Sequence, residues 1–169
     1  MTAYDASLSQ AMRLLNLQCD VSPTTTATGR DRIARYPELP ANWRKQDRFY
    51  ILGWDMDNTR LKELVQLHTP PDMVHVPYAV RAKRLLEDLS GCSNLHISAV
   101  LPPRPSDELC QSKKGTRTIV AISFTASTRL YFRRPTQKQY NLLVQIFGGQ
   151  PIWHRDALPK FFFGAYCIS

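Results

Sequence analysis

The run Phe49-Tyr-Ile-Leu-Gly-Trp54 constrains this chain more than any other segment. Six consecutive non-polar residues without alternation read as a strand covered on both faces, because a half-exposed strand would place every second side chain in water. The next residues, Asp55-Met-Asp57-Asn-Thr59, are polar helix starters, and a helix is expected from there through Leu67. A buried strand feeding directly into a helix demands a sheet and something to cover it, so the chain belongs to a mixed α and β class.

The remaining elements follow from periodicity and punctuation. Ser7-x-x-Gln10 has capping-box form, and Leu8, Ala11, Met12 and Leu15 recur at helical spacing. Val21-Ser-Pro-Thr-Thr-Thr-Ala-Thr-Gly29 then reads as a linker, so residues 1–40 are expected to form an N-terminal helical arm ahead of one domain at 41–169. Pro77 opens a helix that turns Ala82, Leu85, Leu86 and Leu89 inward and stops at Gly91. Leu95, Ile97, Ala99 and Leu101 alternate with His96, Ser98 and Val100 over the length of a second strand, which Pro102-Pro-Arg-Pro105 ends. Thr118–Phe124 and Arg129–Phe132 read as a β-hairpin joined by Thr125-Ala-Ser-Thr128. Thr136-x-x-Gln139 caps a helix with Tyr140, Leu143, Val144 and Phe147 inward, closed by Gly148-Gly149. Ile152-Trp153 and Phe161–Cys167 supply one or two final strands. This order, β-α-α-β-β-β-α-β, predicts an α+β fold: a mainly antiparallel sheet with helices packed on one face, resembling a ferredoxin-like split β-α-β with insertions.

Composition narrows the function classes. No apolar run approaches the roughly 20 residues that cross a bilayer, and the first residues lack the charged-then-apolar layout of a secretory signal, so a cytoplasmic protein without a membrane partner is expected. Cys19, Cys92, Cys110 and Cys167 form no Cys-x-x-Cys pair and read as reduced thiols. None of His68, His75, His96 and His154 has a metal-binding spacing, so no metal site is expected. Nor does the chain hold a Gly-x-Ser-x-Gly elbow, a phosphate-binding Gly-x-x-x-x-Gly-Lys loop or a Gly-x-Gly-x-x-Gly turn. A non-enzymatic role without a cofactor is the expectation.

One local motif points the other way. The stretch Ile51-Leu-Gly-Trp-Asp55-Met-Asp57-Asn-Thr59 is an apolar strand ending in Asp-x-Asp-x-Thr, and it resembles the first motif of the haloacid dehalogenase-like phosphatase superfamily. The resemblance implies Asp55 as the nucleophile on phosphorus, Asp57 as general acid/base and Mg²⁺ as cofactor; Ser123 or Thr125 would stand for the second motif, Lys138 for the third, and Asp156 for the downstream acidic ligands. The same residues also serve as strand terminator and helix cap, tasks that favour Asp and Asn.

Charge makes the broader case. The net formal charge is +8, and residues 111–169 hold nine Lys and Arg against the single carboxylate Asp156. A segregated field of one sign draws polyanions. If Arg129–Arg134 is a strand, alternation puts Arg129, Tyr131 and Arg133 on its outward face, where guanidinium groups pair with phosphates and a ring stacks on an unpaired base. Lys113, Lys114, Arg117, Arg134 and Lys138 extend the patch, with Arg155 and Lys160 beyond them. The expected function is thus nucleic-acid binding, to RNA or DNA, or nucleoprotein assembly. A subunit that docks on an acidic protein partner, aided by the aromatic Phe161-Phe-Phe-Gly-Ala-Tyr166, is the alternative.

Overall fold

The computed structural model describes residues 32–101 and 116–160, which contain strands β1 (Arg48–Asp55), β2 (His96–Val100), β3 (Arg117–Phe124) and β4 (Ile152–Pro159), and helices α1 (Thr59–His68), α2 (Tyr78–Ser90), α3 (Thr128–Phe132) and α4 (Gln137–Phe147). The class is α+β, with a four-stranded antiparallel sheet. The expected N-terminal arm, Lys113 and Lys114, and the aromatic segment from Phe161 lie outside the described residues. The rest falls into two compact units, each assembled from separated stretches of chain.

The sheet unit comprises the described parts of 36–57, 94–134 and 151–160. Its strands run in the order β1-β3-β2-β4 and close on themselves, because β4 pairs with β1 as well as β2. Closure between β2 and β4 is slender: Val100 faces Asp156, and the Leu101 N–H donates to the Arg155 carbonyl at 2.9 Å. Ile51, Val100, Ile119 and Ala121 pack together with Phe124 against them. On the opposite face of the same strands Leu52, Trp54 and Val120 are buried too, which is why Phe49–Trp54 has no polar alternation. Gly53 sits where the β1–β3 register shifts; a Cβ there would stand 2.2 Å from the Val120 carbonyl oxygen, so only glycine lets the two backbones meet.

One strand expectation holds here and another fails. β2 turns Val100 inward, whereas Ile97 is 37% exposed and Ala99 faces solvent. Leu95, just before the strand, is buried as well, so apolar residues of both parities reach the core at the two ends of this short segment. The one that fails is the expected hairpin: Arg129–Phe132 is helix α3 and does not pair with Thr118–Phe124. β3 already has β1 on one side and β2 on the other, so no free edge remains for another strand at this point. A helix pairs the backbone within the segment instead, with the Tyr131 N–H donating to the Ser127 carbonyl at 2.8 Å and Arg133 N–H to Arg129 carbonyl at 3.0 Å.

The helical unit holds the described parts of 32–35, 58–93 and 135–150. The Asn58 side chain caps α1, accepting from the Leu61 N–H at 3.2 Å, and donates to the Phe147 carbonyl at 3.0 Å. α2 buries Ala82, Leu85, Leu86 and Leu89 and ends at Gly91 with φ 67°, as the sequence predicts. α4 forms both bonds of the Thr136/Gln139 capping box and buries Tyr140, Leu143, Ile146 and Phe147; Ile146 takes the place expected for Val144. The segment around Ala34 is tied to the start of α4: Ala34 N–H donates to the Pro135 carbonyl at 3.0 Å and Gln137 N–H to the Arg32 carbonyl at 2.7 Å. No helix among the described residues is long and apolar enough to cross a membrane.

Candidate functional site

Replacing a strand by α3 rearranges the side chains singled out from the sequence. Alternation assigned Phe132 inward and Tyr131 outward, yet at 100° per residue the helix leaves Phe132 67% exposed and turns Tyr131 into a cluster of rings. Tyr131 stacks on Trp153, with centroids 6.5 Å apart and planes 23° from parallel, and meets Phe132 edge-on at 5.2 Å. Trp153 is held by its indole N–H, which donates to the Pro37 carbonyl at 2.9 Å, and Tyr36 by its hydroxyl on the Ile122 carbonyl at 3.3 Å. The Arg134 guanidinium lies 4.6 Å from the Tyr36 ring centre and 5.1 Å from that of Tyr131. Arg134 is therefore a built-in part of the aromatic cluster, and its planar cation suits two ring faces.

Beside this cluster runs a groove of about 320 Å³ lined by Leu39, Trp43, Arg44, Thr125, Tyr131 and Phe132. Its size falls at the lower end for small-molecule sites. A short 3₁₀ turn, Trp43–Lys45, carries one wall, and Arg44 folds its guanidinium to 5.3 Å from the Trp43 ring centre. Thr125 is fixed because its Oγ1 accepts from the Tyr50 N–H at 2.8 Å. The Lys160 Nζ donates to the Arg44 carbonyl at 2.9 Å.

Trp43, Arg44 and Phe132 are the residues that sequence reading missed. Trp43 and Arg44 lie in a proline-bounded loop, without periodicity to mark them. An exposed large aromatic next to a cation was the available signal, and it becomes legible only once the helix phase of Phe132 is known.

The expected cations meet different fates. Arg129 and Arg133 are exposed on and after α3, and neither they nor Arg44 and Lys45 form an ion pair among the described residues. Arg133 also borders a shallow depression with Asn94, His96 and Phe124. Arg117 is committed to Asp55 at 3.3 Å, and Arg155 to Asp47 at 3.0 Å. Lys138 is exposed on α4 in the helical unit, so the residues named from sequence do not all share one unit. The described residues of the sheet unit include nine Lys and Arg against five Asp and Glu, and those of the helical unit eight against four. Of the described cations from residues 111–169, Arg117, Arg129, Arg133, Arg134, Arg155 and Lys160 lie in the sheet unit and Lys138 lies in the helical unit. Compared with protein families, curated proteins and solved structures, the chain matches none.

Asp55 and Asp57 are placed as strand terminator and turn. The Asp57 N–H donates to Asp55 Oδ1 at 2.9 Å, Asp55 Oδ2 faces Arg117, and Asn58 caps the following helix. Among the described residues no three His, Cys, Asp or Glu side chains come together to hold a metal ion, so Asp55 has no such partners there for the Mg²⁺ that its motif implies.

His154 lies within the sheet unit, only 6% exposed. Burial pushes its pKa down, while a bond to the Gly53 carbonyl and the Asp55 charge oppose that, and Arg117 reinforces it. Its Nε2 has no hydrogen-bond partner. Asp156 is buried as well; burial pushes its pKa up, against the Leu158 N–H, which donates to Oδ1 at 2.9 Å, and the nearby Arg48.

Proposed function

We propose that the sheet unit binds single-stranded nucleic acid, with unpaired bases entering the groove against Phe132 and Trp43 and phosphates meeting Arg44, Lys45, Arg129 and Arg133. The observation that carries this reading is Phe132: a phenyl ring with two-thirds of its surface in water, on the lip of a groove that already holds a half-buried indole under a guanidinium. A monomeric protein gains nothing in stability from that exposure, whereas aromatic faces flanked by cations are the means by which unpaired bases are held. Tyr131 lines the same groove and offers a further ring to a base, held in place by its contacts with Trp153 and Phe132. Contacts of this kind are weakly sequence-specific and strongly salt-dependent.

The finer fold assignment belongs with this reading. In the strand order β4-β1-β3-β2 every neighbouring pair is antiparallel, so β1 and β2 run parallel with β3 between them, and β3 and β4 run parallel with β1 between them. Two parallel pairs each split by a strand of the other support a ferredoxin-like split β-α-β arrangement, here with its ends drawn together. A cytoplasmic setting is also part of the proposal, supported by Cys92, a buried free thiol.

The test is a titration of the intrinsic tryptophan fluorescence with a single-stranded and a duplex oligonucleotide of equal length at two salt concentrations. Quenching by the single strand, weaker for the duplex and lost as salt rises, is expected. An unchanged signal at low salt overturns the reading.

A further inference from the structure

The groove also carries information about which base it accepts, an inference that rests on the nucleic-acid reading above. Its lining side chains are Leu39, Trp43, Arg44, Thr125, Tyr131 and Phe132, and none is a carboxylate, an amide or an imidazole. Their polar complement is weighted to donors: the indole N–H of Trp43, the guanidinium of Arg44, and two hydroxyls. Thr125 is the most constrained of these. Its oxygen accepts from the Tyr50 N–H, which fixes the hydroxyl while leaving its proton and one lone pair to offer. Guanidinium groups only donate, and Arg44 makes no ion pair among the described residues that would occupy those donors.

A ring that stacks between Phe132 and Trp43 must turn one edge toward these donors. Uracil, thymine and guanine present a ring carbonyl where cytosine and adenine present an amino group. A carbonyl accepts from Arg44 or Thr125. An amino group in the same place sets donor against donor at Arg44 and forgoes the charge-assisted bond that a carbonyl makes there. We infer that the groove selects keto bases over amino bases, with Arg44, whose guanidinium only donates, as the residue that sets the preference. The nucleic acid favoured by this chain is accordingly a single strand rich in uracil, thymine or guanine.

The sharpest comparison is uridylate against cytidylate, because the two rings have the same size, stack weakly on themselves, and differ at the 4-position. The full chain is titrated with single-stranded oligouridylate and oligocytidylate of equal length near pH 7.5, where cytosine is neutral, with tryptophan quenching as readout. The uridylate is expected to bind at least about fivefold more tightly, the low end of what one well-made base contact discriminates. Arg44→Gln supplies an acceptor alongside its donor, so the ratio is expected to fall below about twofold even though the lost charge weakens both ligands. Arg44 is exposed, so this variant is expected to fold as the parent does, and circular dichroism is the check. Equal or tighter binding of the cytidylate overturns the preference alone. A ratio unchanged in Arg44→Gln overturns the assignment to Arg44. Failure of both oligonucleotides to bind overturns the groove reading, and the base preference falls with it.

Discussion

Gly53→Ala should be the most damaging single-methyl change in the sheet. Its Cβ would lie 2.2 Å from the Val120 carbonyl oxygen, 2.9 Å from the Val120 carbonyl carbon and 3.0 Å from the Ala121 Cα. All three are main-chain atoms, so no side-chain rotation relieves the clash. To reach an ordinary carbon–oxygen contact, β1 and β3 must separate by about 1 Å, enough to weaken the ladder bonds on either side of the register shift at Leu52/Gly53. Two weakened bonds at about 1 kcal/mol each, with about 1–3 kcal/mol for loosening Ile51, Ile119 and Ala121, give a loss of roughly 3–5 kcal/mol. With a urea slope of about 2 kcal/mol/M, the unfolding midpoint should fall by about 1.5–2.5 M. The assay is urea titration followed by circular dichroism, with Gly149→Ala alongside. A Cβ at Gly149 meets nothing within 4 Å, so that variant should match or slightly exceed the parent through reduced freedom of the unfolded chain. A Gly53→Ala midpoint within about 0.3 M of the parent would refute the argument that backbone approach, and not chain flexibility, demands this glycine.

Phe132→Ala should leave the melting temperature nearly unchanged, since the ring is 67% exposed, while weakening single-strand binding by about five- to 150-fold, the worth of one base–aromatic stack; fluorescence titration and a thermal melt separate the two effects. Thr136→Ala removes the acceptor for the Gln139 N–H at 3.2 Å and half of the capping box, and should cost about 1 kcal/mol, a drop of roughly 2–4 °C by calorimetry. Acidification should destabilise the protein through His154. Its folded pKa lies below the unfolded value of 6.5, so the unfolded chain takes up the proton first, and the stability present above pH 6.5 is lost as pH falls toward the folded pKa. His154→Asn, which keeps a donor near the Gly53 carbonyl but cannot titrate, should flatten the melting temperature between pH 7 and 5.5 relative to the parent.

Helix starts and stops were readable from sequence, because their signals are local. Gly91 and Gly148 terminate α2 and α4 with φ of 67° and 73°, and the Thr136/Gln139 box forms as its spacing requires. The Phe49–Trp54 run was legible as a doubly covered strand for the same reason. Asp55-x-Asp57 is readable in two ways, and what no local motif could convey is the register of β1 against β3, which brings Arg117 to the Asp55 carboxylate. The candidate site was legible only in part. Arg129, Arg133 and Arg134 were found by composition, but a strand phase was imposed on them, and Trp43 and Arg44 were not recognised at all.

By itself, then, the amino-acid order determined the α+β class, the positions of the long helices and a positively charged surface, since each depends on residues within a few turns of one another. Tertiary structure decided the rest. Closure of the sheet leaves no edge for Arg129–Phe132, so that segment coils, and coiling turns Phe132 outward and Tyr131 inward. Whether a six-residue stretch becomes strand or helix depends on whether a distant strand offers its unpaired N–H and C=O groups, and that information is not carried in the stretch itself.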